Sequence, residues 1–119
     1  MTALSITPGT LDITATQGKT WSIVITVRDN AGELKDLTGY TARWQVRSSA
    51  GDSKKVLSLT TGSGITLTSQ GLITLTATAA QTSAIPASNY VHEIELTEPG
   101  GAIPPFLAGK LVVQAEVVR

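Results

Sequence analysis

Apolar and polar positions alternate along most of this chain with period two, the spacing of a β-strand with one buried face. In residues 20–28, Trp21, Ile23, Ile25 and Val27 alternate with Ser22, Val24, Thr26 and Arg28. Residues 41–48 place Ala42, Trp44 and Val46 against Arg43, Gln45 and Arg47. Residues 72–78 place Ile73, Leu75 and Ala77 against Thr74, Thr76 and Thr78. Residues 90–97 place Tyr90, His92, Ile94 and Leu96 against Val91, Glu93, Glu95 and Thr97. Residues 107–117 place Leu107, Leu111, Val113, Ala115 and Val117 against Lys110, Gln114 and Glu116. Shorter strands are expected at 11–16, 55–59 and 65–68. Residues 1–10 are read as an arm or an edge strand.

The punctuation between these segments is that of turns. It includes Asp29-Asn30-Ala31-Gly32-Glu33, Gly62-Ser63-Gly64, Ser69-Gln70-Gly71 and Glu98-Pro99-Gly100-Gly101. Turn signals at this spacing suggest a sandwich or barrel. No helical segment of crossover length separates the strands, which disfavours a parallel α/β sheet. One helical turn is expected at Thr78-Ala79-Ala80-Gln81. There a Thr hydroxyl and a Gln amide at capping-box spacing satisfy two free N–H groups. Ile85, before Pro86, ends that turn.

Two aromatic residues favour a sandwich. An immunoglobulin-like fold places a buried Trp on its third strand and a Tyr near the start of its sixth. Trp44 and Tyr90 hold those positions. The position two residues after that Tyr, a cysteine in antibody domains, is His92, so the sheets are expected to hold by packing alone. The expected fold is therefore an all-β, immunoglobulin-like (fibronectin-III-like) antiparallel β-sandwich of about seven or eight strands. Its one short helical turn precedes the Tyr90 strand. With that strand order, Arg43, Gln45 and Arg47 face Glu93 and Glu95, followed by Lys110, as a cross-strand ion-pair ladder. The other sheet, expected to hold segments 11–16, 20–28, 72–78 and 55–59, would show Thr14, Thr16, Ser22, Thr26, Thr74 and Thr76.

Composition sharpens this picture. The chain has 119 residues, a size expected for one domain spanning 1–119. Nine basic residues balance nine acidic ones. That balance is unlike the basic excess of a nucleic-acid binder. Charged residues make up 15%, against about 25% in ordinary soluble domains. Threonine occurs 18 times. There is no Cys, which removes disulfides, thiolate nucleophiles and Cys-based metal sites. No apolar stretch reaches membrane-spanning length, and the N-terminus lacks the pattern of a secretory signal.

Candidate chemistry is sparse. His92 is the single histidine and lies on the inward phase, so it reads as a core residue; a triad would need a nucleophile and an orienting acid around it. Glu93 and Glu95 share a face and read as partners of Arg43 and Arg47 rather than as an acid–base pair. The Asp29–Glu33 cluster lacks the alternating acids of a calcium loop and reads as a hairpin turn. Gly62-Ser63-Gly64 lacks the following helix of a phosphate loop. No catalytic residue, cofactor or metal ligand is expected. The charge-poor threonine face, represented by Thr14, Thr26, Thr74 and Thr76, is the candidate interface. Threonine's β-propensity is the competing explanation for it.

The order of segments also resembles a known group. Val27-Arg28-Asp29-Asn30-Ala31-Gly32 leads to Asp36-Leu37-Thr38-Gly39-Tyr40-Thr41-Ala42-Arg43. Gly64-Ile65-Thr66-Leu67 and Gly71-Leu72-Ile73-Thr74-Leu75-Thr76 follow, then Ala80-Gln81-Thr82. Tyr90-Val91-His92-Glu93-Ile94-Glu95-Leu96 precedes a Pro-Gly turn, and Gly109-Lys110-Leu111-Val112-Val113 comes near the end. Over roughly residues 17–119 this resembles the small immunoglobulin-like β-sandwich proteins of phage and prophage tail gene clusters. They are similar to the N-terminal domain of phage baseplate upper proteins. His92 departs from the aromatic expected there. The resemblance implies a non-enzymatic virion component, associated with tail, baseplate or fibre and assembled in the bacterial cytoplasm. Its partners would be other tail proteins or itself as a homo-oligomer, with neither nucleic acid nor membrane. A carbohydrate-binding or adhesion sandwich is the alternative. Such sites often use exposed aromatics, and only Tyr40 and Phe106 are expected to be exposed.

Overall fold

The computed structural model describes residues 9–29, 31–104 and 106–118. Most of the expected arm, residues 1–8, lies outside them. The described strands are β1 (Gly9–Thr10), β2 (Ile13–Thr16), β3 (Trp21–Thr26), β4 (Thr41–Arg47) and β5 (Leu57–Thr61). They continue with β6 (Gly64–Leu67), β7 (Leu72–Ala77), β8 (Ser88–Thr97) and β9 (Leu107–Gln114). A single helical turn, α1 (Ala79–Ser83), stands between β7 and β8.

Hydrogen-bonded order runs β1-β9-β8-β4-β5-β6-β7-β3, with β2 also beside β9. One layer holds β1, β2, β9, β8, β4 and β5. The other holds β6, β7 and β3. A short parallel pairing, Thr60 with Gly64 and Thr61 with Ile65, links the layers at β5 and β6. The layers close on a core that includes Val27, Leu37, Trp44, Val46, Leu59, Ile65, Ile73, Leu75, Ile94, Leu96 and Leu111. Across it, Trp21 of β3 stacks on Trp44 of β4, with ring centroids 5.1 Å apart.

The strand at 11–16 differs from the expected topology. Its β2 portion runs parallel to β9, with Ile13 opposite Leu111 and Ala15 opposite Val113. Thr14 therefore lies on the larger sheet and not beside Thr26. Two bonds extend this pairing, from Leu11 N to Ala108 O and from Gln17 N to Gln114 O. Parallel pairing is thus present at β1, β2 and between β5 and β6, so the sandwich is mixed and not wholly antiparallel.

The 55–59 segment also changes place. Its residues join β5, antiparallel to β4, with Trp44 opposite Leu59. The loop 48–56 joins the pair as a hairpin, and Val56 N donates to Val46 O. The 65–68 segment, as β6, takes the vacant position beside β7.

The final strand stops earlier than the alternation suggests. β9 ends at Gln114, where its pairing with β2 also ends. Beyond it Ala115 is exposed and Val117 is 90% exposed, since no neighbouring strand covers them. Tyr40 and Phe106, expected at the surface, are buried.

Two local expectations match the structure. Thr78 Oγ1 accepts from Gln81 N at 3.1 Å, and Gln81 Oε1 accepts from Thr78 N at 2.8 Å, completing the capping box. Tyr90 Oη donates to Pro86 O at 2.6 Å, closing the corner that leads into β8. Thr82 of α1 is buried and donates to Lys19 O at 2.8 Å, which ties the helical turn to the entry of β3.

Candidate interaction surfaces

The outer face of the smaller sheet is built by the even-numbered residues of β3, β6 and β7. Register places Ser22 opposite Thr76, Val24 opposite Thr74 and Thr26 opposite Leu72. Thr66 stands opposite Thr74 on the far side. Ser22 and Thr76 hydroxyls lie 3.2 Å apart. Charge is absent from these positions. Hydroxyls and aliphatic groups, Leu72 among them, are left, and covering these costs far less desolvation than covering charges. Thr26, Thr74 and Thr76 are brought together here; Thr14 is not.

Val24 is the residue that alternation alone undervalues. It is apolar yet sits on the polar phase, 59% exposed in the middle of the threonine face. On the inward phase, Trp21, Ile23 and Ile25 are only half-buried. The half-burial of the inward residues fits an edge strand: among the described residues β3 pairs with β7 alone.

The outer face of the larger sheet is different in kind. Arg43 opposes Glu95 and Gln45 opposes Glu93, as the ladder requires. Arg43 Nη2 meets Glu95 Oε1 at 2.5 Å. The rest of the ladder diverges from expectation. Arg47 donates to Asp52 O and to Gln45 Oε1, and Lys110 stands opposite Val91. Beside these residues lies a shallow depression of about 340 Å³, whose lining includes Gln45, Arg47, Ala50, Val91, Glu93 and Ala108.

Under the larger sheet His92 is buried between two strands. Trp44 Nε1 donates to His92 Nδ1 at 3.0 Å, and His92 Nε2 lies 2.6 Å from Leu11 O. An accepting Nδ1 assigns the proton to Nε2, which donates to Leu11 O. Burial holds the imidazole below its ordinary pKa, opposed by the Leu11 carbonyl and the charge of Asp12. Gly109, opposite His92, makes room for this arrangement: a Cβ there would lie 2.1 Å from Leu11 O. The ring joins β8 to β4 and to the segment between β1 and β2. Packing is therefore joined here by a hydrogen-bond relay.

The Asp29 cluster is a hairpin turn. Asp29 Oδ1 accepts from Ala31 N and Glu33 N, and Arg28 bridges Leu34. Among the described residues no three His, Asp or Glu side chains converge as metal ligands.

These features define an all-β, immunoglobulin-like sandwich with one uncharged sheet face and one charged face. Neither the protein-family models nor the curated proteins contain a match to this sequence. Among solved structures, a chain from a photo-crosslinking study of the multimeric cell-adhesive interactions of VGSC beta subunits aligns with a TM-score of 0.45. Identity is 14%, over 96% of this chain and 98% of that one.

Proposed function

We propose that this chain is a non-enzymatic structural module of a phage or prophage virion, placed in the tail, baseplate or fibre apparatus, and that it works by packing against other proteins. The uncharged outer face of β3, β6 and β7 carries this reading. An ordinary solvated sheet face displays charge; this one displays Ser22, Val24, Thr26, Thr66, Thr74 and Thr76. The segments that carry the resemblance to tail proteins support it as scaffold elements. Asp36 Oδ1 accepts from Thr38 N and Oγ1, Leu37 is buried, and Tyr90 forms the corner bond. Residues of that kind hold a module's shape and leave its surface to bind.

Co-expression with the products of the genes that flank its own tests the proposal, which expects tail proteins among them. The wild-type chain is expected to co-purify with at least one of them. Thr74→Lys with Thr76→Lys should abolish capture while leaving the melting temperature nearly unchanged. Equal capture by the double variant would contradict the assignment of this face.

The alternative, a carbohydrate-binding or adhesion module, draws on the depression lined by Gln45, Arg47 and Glu93. Sugar sites commonly add an exposed aromatic platform. Trp44, Tyr40, Tyr90 and Phe106 are all buried, and Trp21 is half-buried against Trp44. Binding to a glycan array that Arg47→Ala removes would favour this second reading.

A further inference from the structure

We infer that the edge of β3 left unpaired among the described residues pairs with β3 of a second copy of this chain, antiparallel across a twofold axis at Val24. The inference rests on the reading of this chain as a protein-packing module and names one partner for it.

The hydrogen-bond phase of β3 fixes which groups face outward. Val27 N donates to Gly71 O at 2.7 Å, in continuation of the Thr26–Leu72 register. Hydrogen-bonded residues alternate along an antiparallel strand. Trp21, Ile23 and Ile25 therefore bond to β7, and the N–H and C=O groups of Ser22, Val24 and Thr26 point to the open side. Proteins usually blunt such an edge with charge, proline or a bulge. From Thr20 to Val27 this strand has none of the first two, and its pairing with β7 is regular.

The flanking charges select the occupant and the register. Pairing Val24 with Val24 of the second copy puts Ser22 opposite Thr26 and Thr26 opposite Ser22. All three outward residues of each copy then lie in hydrogen-bonded pairs. The same register brings Lys19, in the turn before β3 and 3.3 Å from Glu116 of its own chain, towards Asp29 of the second copy, cation against anion at both ends. Shifting it by two residues in either direction loses both matches. A twofold contact must be self-complementary, and this strand is so in its backbone groups, its small side chains and its end charges. Val24, more than half exposed in a single chain, gains its counterpart as a cross-strand neighbour at the axis.

The chain contains no Cys, so single cysteines report the register. In a hydrogen-bonded antiparallel pair the Cα atoms stand about 5.5 Å apart, within disulfide range. Val24→Cys treated with diamide is expected to give a disulfide-linked dimer. Ser22→Cys alone and Thr26→Cys alone should form no disulfide-linked dimer, whereas their mixture should cross-link. Val24→Pro, which removes an outward N–H that an edge strand can spare, should halve the mass of the dimer in sedimentation and keep a cooperative melt.

Equal cross-linking of all three single variants, or a dimer that survives Val24→Pro, would overturn the inference. Failure of Val24→Cys to cross-link would also overturn it. If the chain fails to pair with itself yet still captures a neighbouring tail protein, self-pairing is overturned and the packing reading stands. If it does neither, both fall.

Discussion

His92 shows how a single position can join three strands. Its Nδ1 receives the Trp44 indole proton and its Nε2 reaches the Leu11 carbonyl. Replacing it with Leu keeps the volume roughly apolar and leaves the indole N–H and the carbonyl buried without partners. The cost should be about 2–4 kcal/mol, since each orphaned group costs on the order of 1–3 kcal/mol. Urea unfolding at neutral pH measures it. The same ring sets a pH dependence. Its folded pKa lies below the ordinary 6.5, chiefly through burial. As pH falls, the unfolded chain takes up the proton first, so unfolding gains free energy relative to the fold. The ring's stabilisation should be complete above about pH 6.5 and decline as pH falls from there through the folded pKa. The difference between wild type and His92→Leu, followed against pH, isolates it from the carboxylates.

At the scale of elements, the capping box before α1 has a defined energetic role. Thr78→Ala removes the side-chain acceptor for Gln81 N and should cost about 1 kcal/mol. A thermal melt reads this loss, and Thr78→Ser should recover most of it. That element was visible in the sequence because its interactions span only three residues. The strands were visible for a similar reason: alternation at Trp21–Val27, Thr41–Arg47 and Tyr90–Leu96 depends on which face is buried. Strand neighbours were less visible. Ile13 and Ala15 need only an apolar face to cover, and β3 and β9 both offer one; pairing beside β9 was decided by backbone bonds from Leu11 and Gln17. Likewise Leu57 and Leu59 suit either sheet, and backbone pairing with β4, extended by the Val56 N to Val46 O bond, made the choice. Of the four threonines expected at the interface, Thr26, Thr74 and Thr76 share a face because β3 and β7 pair in register. Thr14 left with its strand. Val24 was hidden by its apolar side chain, which alternation marks as an irregularity.

For the molecule as a whole, formal neutrality is divided between two unlike sheets. Arg43, Glu95, Arg47, Glu93 and Lys110 lie on the larger sheet, where water suits them. The smaller sheet has a hydroxyl-rich, uncharged face that ends in the edge of β3, unpaired among the described residues. Its surface and its edge lie together, on the side of the molecule that the proposal assigns to protein contact. Amide hydrogen exchange, followed residue by residue from dilute to concentrated protein, tests this most directly. Ser22, Val24 and Thr26 are expected to exchange quickly when dilute and to become protected on concentration, while Trp21, Ile23 and Ile25 stay protected throughout. Protection that arises instead around Gln45, Arg47, Val91 and Glu93, or β3 amides already protected at the lowest concentration, would contradict the account.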